Sequence, residues 1–225
     1  MMTYDAVIFD LDGTLLDSLD DIADAANQVL VDLGRSPFPN SDYRFLVGDG
    51  VAMLFQRAIP ACQTDLELRQ DCMRRFDVEY AKRWNNCSKP YEGIEDMLKL
   101  LVQNQVTLAI LSNKPEAFTK QCVEHFFPAT HFVQVLGHSE RFPRKPDPAS
   151  AKWLADQLGR GNDRIAYVGD TNTDMKTAVG AGLFAIGVTW GFRPESELVA
   201  HGANAICNTV SQLRHCILGS KESSL

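Results

Sequence analysis

The 225-residue chain has no apolar run long enough to cross a bilayer, so a helical membrane span is excluded. Basic residues are in deficit, 22 Lys and Arg against 29 Asp and Glu, for a net charge of −7. That balance argues against a surface for nucleic acid or anionic lipid, and neither is expected as a partner. The six cysteines (Cys62, Cys72, Cys87, Cys122, Cys207, Cys216) have no C-x-x-C spacing and form no dense framework. They read as the buried thiols of a reducing cytosol rather than as zinc ligands or a disulfide scaffold. The five histidines (His125, His131, His138, His201, His215) show no metal-ligand spacing. Met1-Met2-Thr3-Tyr4-Asp5 lacks the basic stretch of a signal peptide, so a cytoplasmic location is the expectation. The oligomeric state is left open.

Against these absences one segment stands out. Ala6 to Phe9 is a short apolar run of the kind that forms a buried strand, and it stops at Asp10. Asp12 follows one residue later, then Gly13 to turn the chain and Thr14 to hydrogen-bond the turn. Two carboxylates at the carboxyl end of a strand sit where open α/β sheets bind ligands. An aspartate can accept a phosphoryl group, and paired hard oxygens suit Mg²⁺. An Asp-Gly turn after a strand is common, but five specified residues in a row would arise in about one such chain in ten thousand by chance.

Asp10-Leu11-Asp12-Gly13-Thr14 resembles the first motif of the haloacid-dehalogenase-like phosphohydrolases. The family's three other motifs follow in order. Leu108 to Leu111 is an apolar strand ending at Ser112, before Asn113-Lys114-Pro115; Arg144-Lys145-Pro146-Asp147-Pro148 supplies a lysine; Ile165 to Asp174 carries a G-D-x-x-x-D pattern. The resemblance spans residues 6 to 174.

It implies roles. Asp10 would be the nucleophile, ionised at neutral pH with an unperturbed pKa near ~3.9, and would become an aspartyl-phosphate. Asp12 would protonate the leaving alkoxide and then activate water, which calls for a carboxyl raised to about 6–7. In the family the residue at this position gives Mg²⁺ its backbone carbonyl, leaving the side chain for that work. Asp10, Asp12 and Asp170 would thus hold the metal. Ser112 and the Asn113 amide, at a strand-to-helix junction, would bind phosphate oxygens at a helix N-terminus. Lys145 would neutralise the nucleophile and the moving phosphoryl group. For Asp174 two readings stay open: support behind the metal ligands, or a carboxylate favoured in a helix first turn by the macrodipole.

Beyond the strand at residues 6–9, no strand signal appears between residues 17 and 88. Ser18 opens a helix with a capping-box pattern, and Ile22, Ala26, Val29, Leu30 and Leu33 follow at helical spacing until Gly34. A second helix carries Val51, Leu54, Phe55 and Ala58. A third is expected from Thr64, with Glu67 completing its capping box and Cys72, Phe76, Tyr80 and Trp84 on one face. From Pro90 onward helices and strands alternate, which implies a parallel sheet with helices on both faces. The expected architecture is a Rossmann-like α/β core, residues 1–16 and 88–225, with an inserted α-helical cap at 17–87 that resembles the family's C1 type.

Within the cap, Arg44-Phe45-Leu46-Val47-Gly48-Asp49-Gly50 looks like the substrate-facing loop of phosphoglycolate phosphatases. The other reading is a plain interhelix turn, for which glycines also serve. Trp190-Gly191-Phe192-Arg193-Pro194 either lines the pocket rim or is a simple loop. In an acidic chain an anionic substrate needs local positive charge, hence the interest in Arg44 and Lys145. The expected function is a Mg²⁺-dependent phosphatase of a small phosphorylated metabolite, phosphoglycolate-like. The alternatives are a β-phosphoglucomutase-like isomerase and an inorganic pyrophosphatase of the same superfamily. Dehalogenation is disfavoured because Asp12 and Asp170 would have no purpose in it, and a phosphonatase would not place an acid at Asp12.

Overall fold

A computed structural model describes residues 4–219. In chain order the elements are β1 (Ala6–Phe9), β2 (Leu16–Asp17), α1 (Leu19–Asp32), α2 (Tyr43–Leu46), α3 (Val51–Ala58), α4 (Leu66–Ala81) and β3 (Lys89–Pro90). There follow α5 (Ile94–Gln103), β4 (Thr107–Pro115), α6 (Glu116–Phe126), β5 (Gln134–His138), α7 (Ala149–Leu158) and β6 (Ile165–Gly169). The chain ends with α8 (Asn172–Ala181), β7 (Phe184–Val188), α9 (Glu195–Ala200), β8 (Ala205–Cys207) and α10 (Val210–Leu218). It divides into two compact units, residues 1–16 with 90–225 and residues 17–89.

The first unit is an α/β core. Six parallel strands lie in the order β5-β4-β1-β6-β7-β8. Parallel strands need crossovers, and the intervening helices cover both faces of the sheet. One face packs Ala6, Ile8, Ala109, Leu111 and Tyr167 against Ala151, Leu154, Met175 and Ala178 of α7 and α8. On the central strands every residue of β1 and β6 is buried, which is why both are short unbroken apolar runs. The strand order reverses at β1: the chain builds outward through β4 and β5 on one side, then returns to β6, β7 and β8 on the other. A crevice at the carboxyl ends of the strands is the consequence of such a reversal, and Asp10 stands at its centre.

The second unit is helical. Phe55 meets Phe76 edge-on at 6.1 Å between ring centroids, and Phe76 stacks on Tyr80 at 5.4 Å. The capping box expected at Ser18 does not form: Ser18 makes no side-chain cap, and buried Asp21 instead accepts bonds from the Cys87 and Ser88 amides and the Ser88 hydroxyl. The tertiary partners outcompete the local one. Helix α4 starts one residue later than expected, because Asp65 rather than Thr64 takes the cap and accepts from the Leu68 amide. The short helix α2 was not anticipated; it places Tyr43 in the interior, where its hydroxyl donates to Asn27 Oδ1 at 2.8 Å.

Candidate active site

Strand β1 delivers Asp10 to the sheet's carboxyl edge, where its amide donates to the Val168 carbonyl of β6 at 2.9 Å. Its carboxylate accepts from Lys145 Nζ at 2.9 Å. The same ammonium donates to Asp174 Oδ1 at 2.7 Å and to the Leu111 carbonyl at 3.0 Å. Asp170, wholly buried just past β6, accepts from the Thr14 hydroxyl at 3.0 Å and the Phe192 amide at 2.7 Å. Among the described residues Asp10, Asp170 and Asp174 form a group in which one carboxylate oxygen of each lies within 4.8 Å of the others.

Three carboxylates gathered around one ammonium leave two negative charges uncompensated in a site almost closed to water. The electrostatics follow. Burial, reinforced by Asp174 and resisted by Lys145, pushes Asp10 up to about 7. This corrects the expectation of an ordinary carboxyl pKa, and the cause is desolvation. Burial and the charges of Asp174 and Asp10 also hold Asp170 well above the carboxylate range. For Lys145 burial opposes the charged form, but Asp10 and Asp174 outweigh it and hold the ammonium well above its usual value. A divalent cation would supply the missing two charges, and hard carboxylate oxygens suit Mg²⁺.

Glycines make room for this arrangement. Gly13 has φ +87°, and a Cβ there would run into the Asp170 carboxylate. A Cβ on Gly191 would meet both that carboxylate and the Gly13 carbonyl. The Trp190–Pro194 segment is therefore more than a simple loop: Phe192 grips Asp170, and Trp190 Nε1 donates to the Thr14 carbonyl at 3.0 Å.

Asp174 takes the helix-first-turn position that one of its two readings offered. It is the third residue of α8 and completes a capping box with Thr171, its Oδ2 accepting from the Thr171 amide and hydroxyl. Its Oδ1 accepts from Lys145 and, at 3.2 Å, from the Tyr167 hydroxyl, so both oxygens are engaged.

Ser112 and Asn113 are buried beside Lys145, but not at a helix N-terminus. Strand β4 continues through them to Pro115, and α6 begins at Glu116, because Pro115 still pairs with His138 of β5. Asn113 clamps the main chain of Lys145 instead: its Nδ2 donates to the Lys145 carbonyl at 3.1 Å, and its Oδ1 accepts from the Lys145 amide at 2.9 Å. The Asp12 carboxylate accepts two hydrogen bonds from Lys114 Nζ. From sequence Thr14 had only the turn, Gly191 and Phe192 only a rim or a loop, and Lys114 and Tyr167 no role of their own. Lys114, Thr14 and Tyr167 lie within motifs already quoted, and their partners there are what the sequence does not show.

Arg44, Gly48 and Gly50 belong to the helical unit. Arg44 is the exposed second residue of α2, and the two glycines take φ +112° and +86°. Asp49 between them pairs with Arg57, whose Nη1 also donates to the Leu46 carbonyl at 2.9 Å.

The profile of the haloacid dehalogenase-like hydrolases matches residues 7–188. A phosphoglycolate phosphatase of Vibrio parahaemolyticus is 33% identical over 213 residues, 92% of this chain and 93% of that protein. One from Vibrio vulnificus is 32% identical, covering 95% and 96%. A solved structure from Lactobacillus delbrueckii subsp. bulgaricus, provisionally assigned as a phosphoglycolate phosphatase, superposes with a TM-score of 0.91 at 31% identity over 97% of this chain and all of that one. With the four motifs converging on one acidic edge and the profile match running from β1 through β7, the chain belongs to the haloacid dehalogenase-like hydrolases.

Proposed function

We propose that this phosphoric monoester hydrolase removes phosphate from a small phosphorylated metabolite of the phosphoglycolate type, through an aspartyl-phosphate on Asp10. The observation that carries the reading is the placement of the Asp10 carboxylate at the sheet switch point, paired with a buried lysine and within 4.8 Å of one oxygen each of Asp170 and Asp174. Asp10 and Asp170 would hold Mg²⁺ by carboxylate oxygens and Asp12 by its main-chain carbonyl. When bound, the ion supplies Lewis acidity and screens the repulsion between the carboxylate and the phosphate.

The residues divide the remaining work. Asp10 attacks phosphorus in line, and the ester oxygen leaves with a proton from Asp12. Asp12, now a base, takes a proton from the water that opens the acyl-phosphate. Lys145 keeps its charge throughout, offsetting that of Asp10 and of the phosphoryl oxygens. Ser112 Oγ and the Asn113 amide bind those oxygens, while the Asn113 side chain keeps Lys145 in place. Asp174 fixes the far side of the same ammonium. Residues 17–89 act as the cap, with Arg44 and the Gly48-Asp49-Gly50 turn selecting the substrate. Among the described residues no helix is long and apolar enough to cross a membrane, and we place the enzyme in the cytoplasm.

The test is a panel of phosphorylated metabolites assayed with Mg²⁺ for released phosphate and for isomerised product. Release from phosphoglycolate, with no isomer formed from any sugar phosphate, is the expected result. Isomerisation of a sugar phosphate, or pyrophosphate as the preferred substrate, would overturn it.

A further inference from the structure

Two buried ammonium groups serve the acidic edge, each with aspartates of its own. Lys145 binds Asp10 and Asp174; Lys114 Nζ donates to both carboxylate oxygens of Asp12, at 2.8 and 3.1 Å. The Lys114 side chain retains 6% of its exposure and that of Asp12 14%. Burying a lysine costs hydration and rotamer freedom, so a lysine at this depth is there for its partner.

The frame on both sides is rigid. Strands β1 and β4 pair in parallel with Phe9 opposite Ile110, so the segments that carry Asp12 and Lys114 emerge side by side from the sheet edge. The Lys114 amide donates to Ser112 Oγ at 3.2 Å, and its carbonyl accepts from Thr119 Oγ1 at 3.1 Å. A Cβ on Gly137 would collide with Glu116 Cα and Thr119 Oγ1, so the turn after Lys114 is packed without slack. A single contact would leave the Asp12 carboxylate free to rotate about its last bond. Two hydrogen bonds from one fixed ammonium set both its rotation and its lateral position.

We propose that Lys114 is a positioning residue for Asp12: it acts on the reaction by holding that carboxylate in the orientation for proton transfer, and not by binding substrate. The proposal rests on the reading of Asp12 as the proton carrier. Its consequence is specific. Whatever Lys114 contributes must disappear when Asp12 has no carboxylate to hold.

The test is a double-mutant cycle of Lys114→Met, Asp12→Ala and the pair, with Lys114→Arg beside them, each checked for a native thermal transition. Substrates are phosphoglycolate and p-nitrophenyl phosphate, whose leaving group needs no acid. Misplacing a catalytic group costs roughly 10²-fold, so Lys114→Met should lower kcat on phosphoglycolate by about that factor while KM moves less than about threefold. The phosphorylation step with p-nitrophenyl phosphate should lose far less. Lys114→Arg, which keeps a cation, should recover part of the loss and preserves the test if the Met variant does not fold. In the Asp12→Ala background, Lys114→Met should add less than about twofold, because coupled residues are not additive. A full additional loss in that background, or a raised KM with kcat intact, would overturn the proposal while leaving Asp12 its role. Wild-type turnover by Asp12→Ala would instead remove the reading of Asp12 itself.

Discussion

At the scale of single residues, the site is an exercise in holding negative charge. Asp170 depends on two glycines having no side chain. Gly191→Ala places a methyl against its carboxylate and the Gly13 carbonyl. Overpacking of this kind costs about 1–3 kcal/mol, and here it falls on a proposed metal ligand. The expected outcome is a rise of at least about tenfold in the Mg²⁺ concentration giving half-maximal activity, with the melting temperature only modestly lowered. An unchanged Mg²⁺ requirement would show that the loop does not support Asp170. Arg44 makes the opposite kind of claim, for selectivity alone. Arg44→Ala should raise KM for phosphoglycolate by roughly 10²-fold, from losing about 2–3 kcal/mol of charge-assisted bonding, and should leave p-nitrophenyl phosphate nearly untouched. Equal loss on both substrates, or none on either, would remove the carboxylate-recognition role. Asp10, Asp12 and Asp170 were legible in sequence because each ends or closely follows an apolar run. The partners that orient them were not, since Lys114 reaches Asp12 across 102 positions and Thr14 reaches Asp170 across 156.

At the scale of elements, apolar runs with clear punctuation were read correctly. β1, α7 and β7 have the ends the sequence predicts (Ala6 to Phe9, Ala149 to Leu158 and Phe184 to Val188), because an aspartate, a proline followed later by a left-handed glycine, and a glycine-bounded apolar run define them locally. Where tertiary partners decide, the reading fell short. β4 runs on past Leu111 through a break in register and rejoins β5 where Pro115 pairs with His138, which no local signal announces. α9, β8 and α10 close the sheet with short segments of weak periodicity, and none was anticipated. Asp21 belongs to the same class: it looked like half of a capping box, yet it ties the start of α1 to residues 87 and 88. Asp21→Ala removes the acceptor for two buried or half-buried amides and one hydroxyl, and should cost about 2–4 kcal/mol. Urea denaturation followed by far-ultraviolet circular dichroism checks this: a shift of the midpoint to lower urea is expected. A shift of under about 0.5 kcal/mol, the size of an ordinary surface change, would mean that the carboxylate does not hold the helical unit together.

At the scale of the whole molecule, an acidic chain concentrates three carboxylates in its driest place, and its stability should report this. Asp10 has its pKa raised from 3.8 to about 7 in the fold. The raised value favours the folded state fully below the unfolded pKa, and that contribution is lost as pH rises through about 7. Metal-free protein should therefore lose melting temperature between about pH 5 and 8, and Mg²⁺ should restore more of it at pH 8 than at pH 5. A Mg²⁺ shift that is equal at both values, or larger at pH 5, would contradict the charge-balance argument.

The central claim is chemical: phosphate leaves the substrate by way of Asp10. Protein mixed with phosphoglycolate and Mg²⁺, quenched in acid within one turnover and reduced with borohydride, converts an aspartyl-phosphate to homoserine, which peptide mass mapping locates. The account predicts homoserine at position 10, and nowhere in Asp10→Asn, which should be folded and inactive. Phosphate release that proceeds without any label at Asp10, or substantial turnover by folded Asp10→Asn, would contradict it.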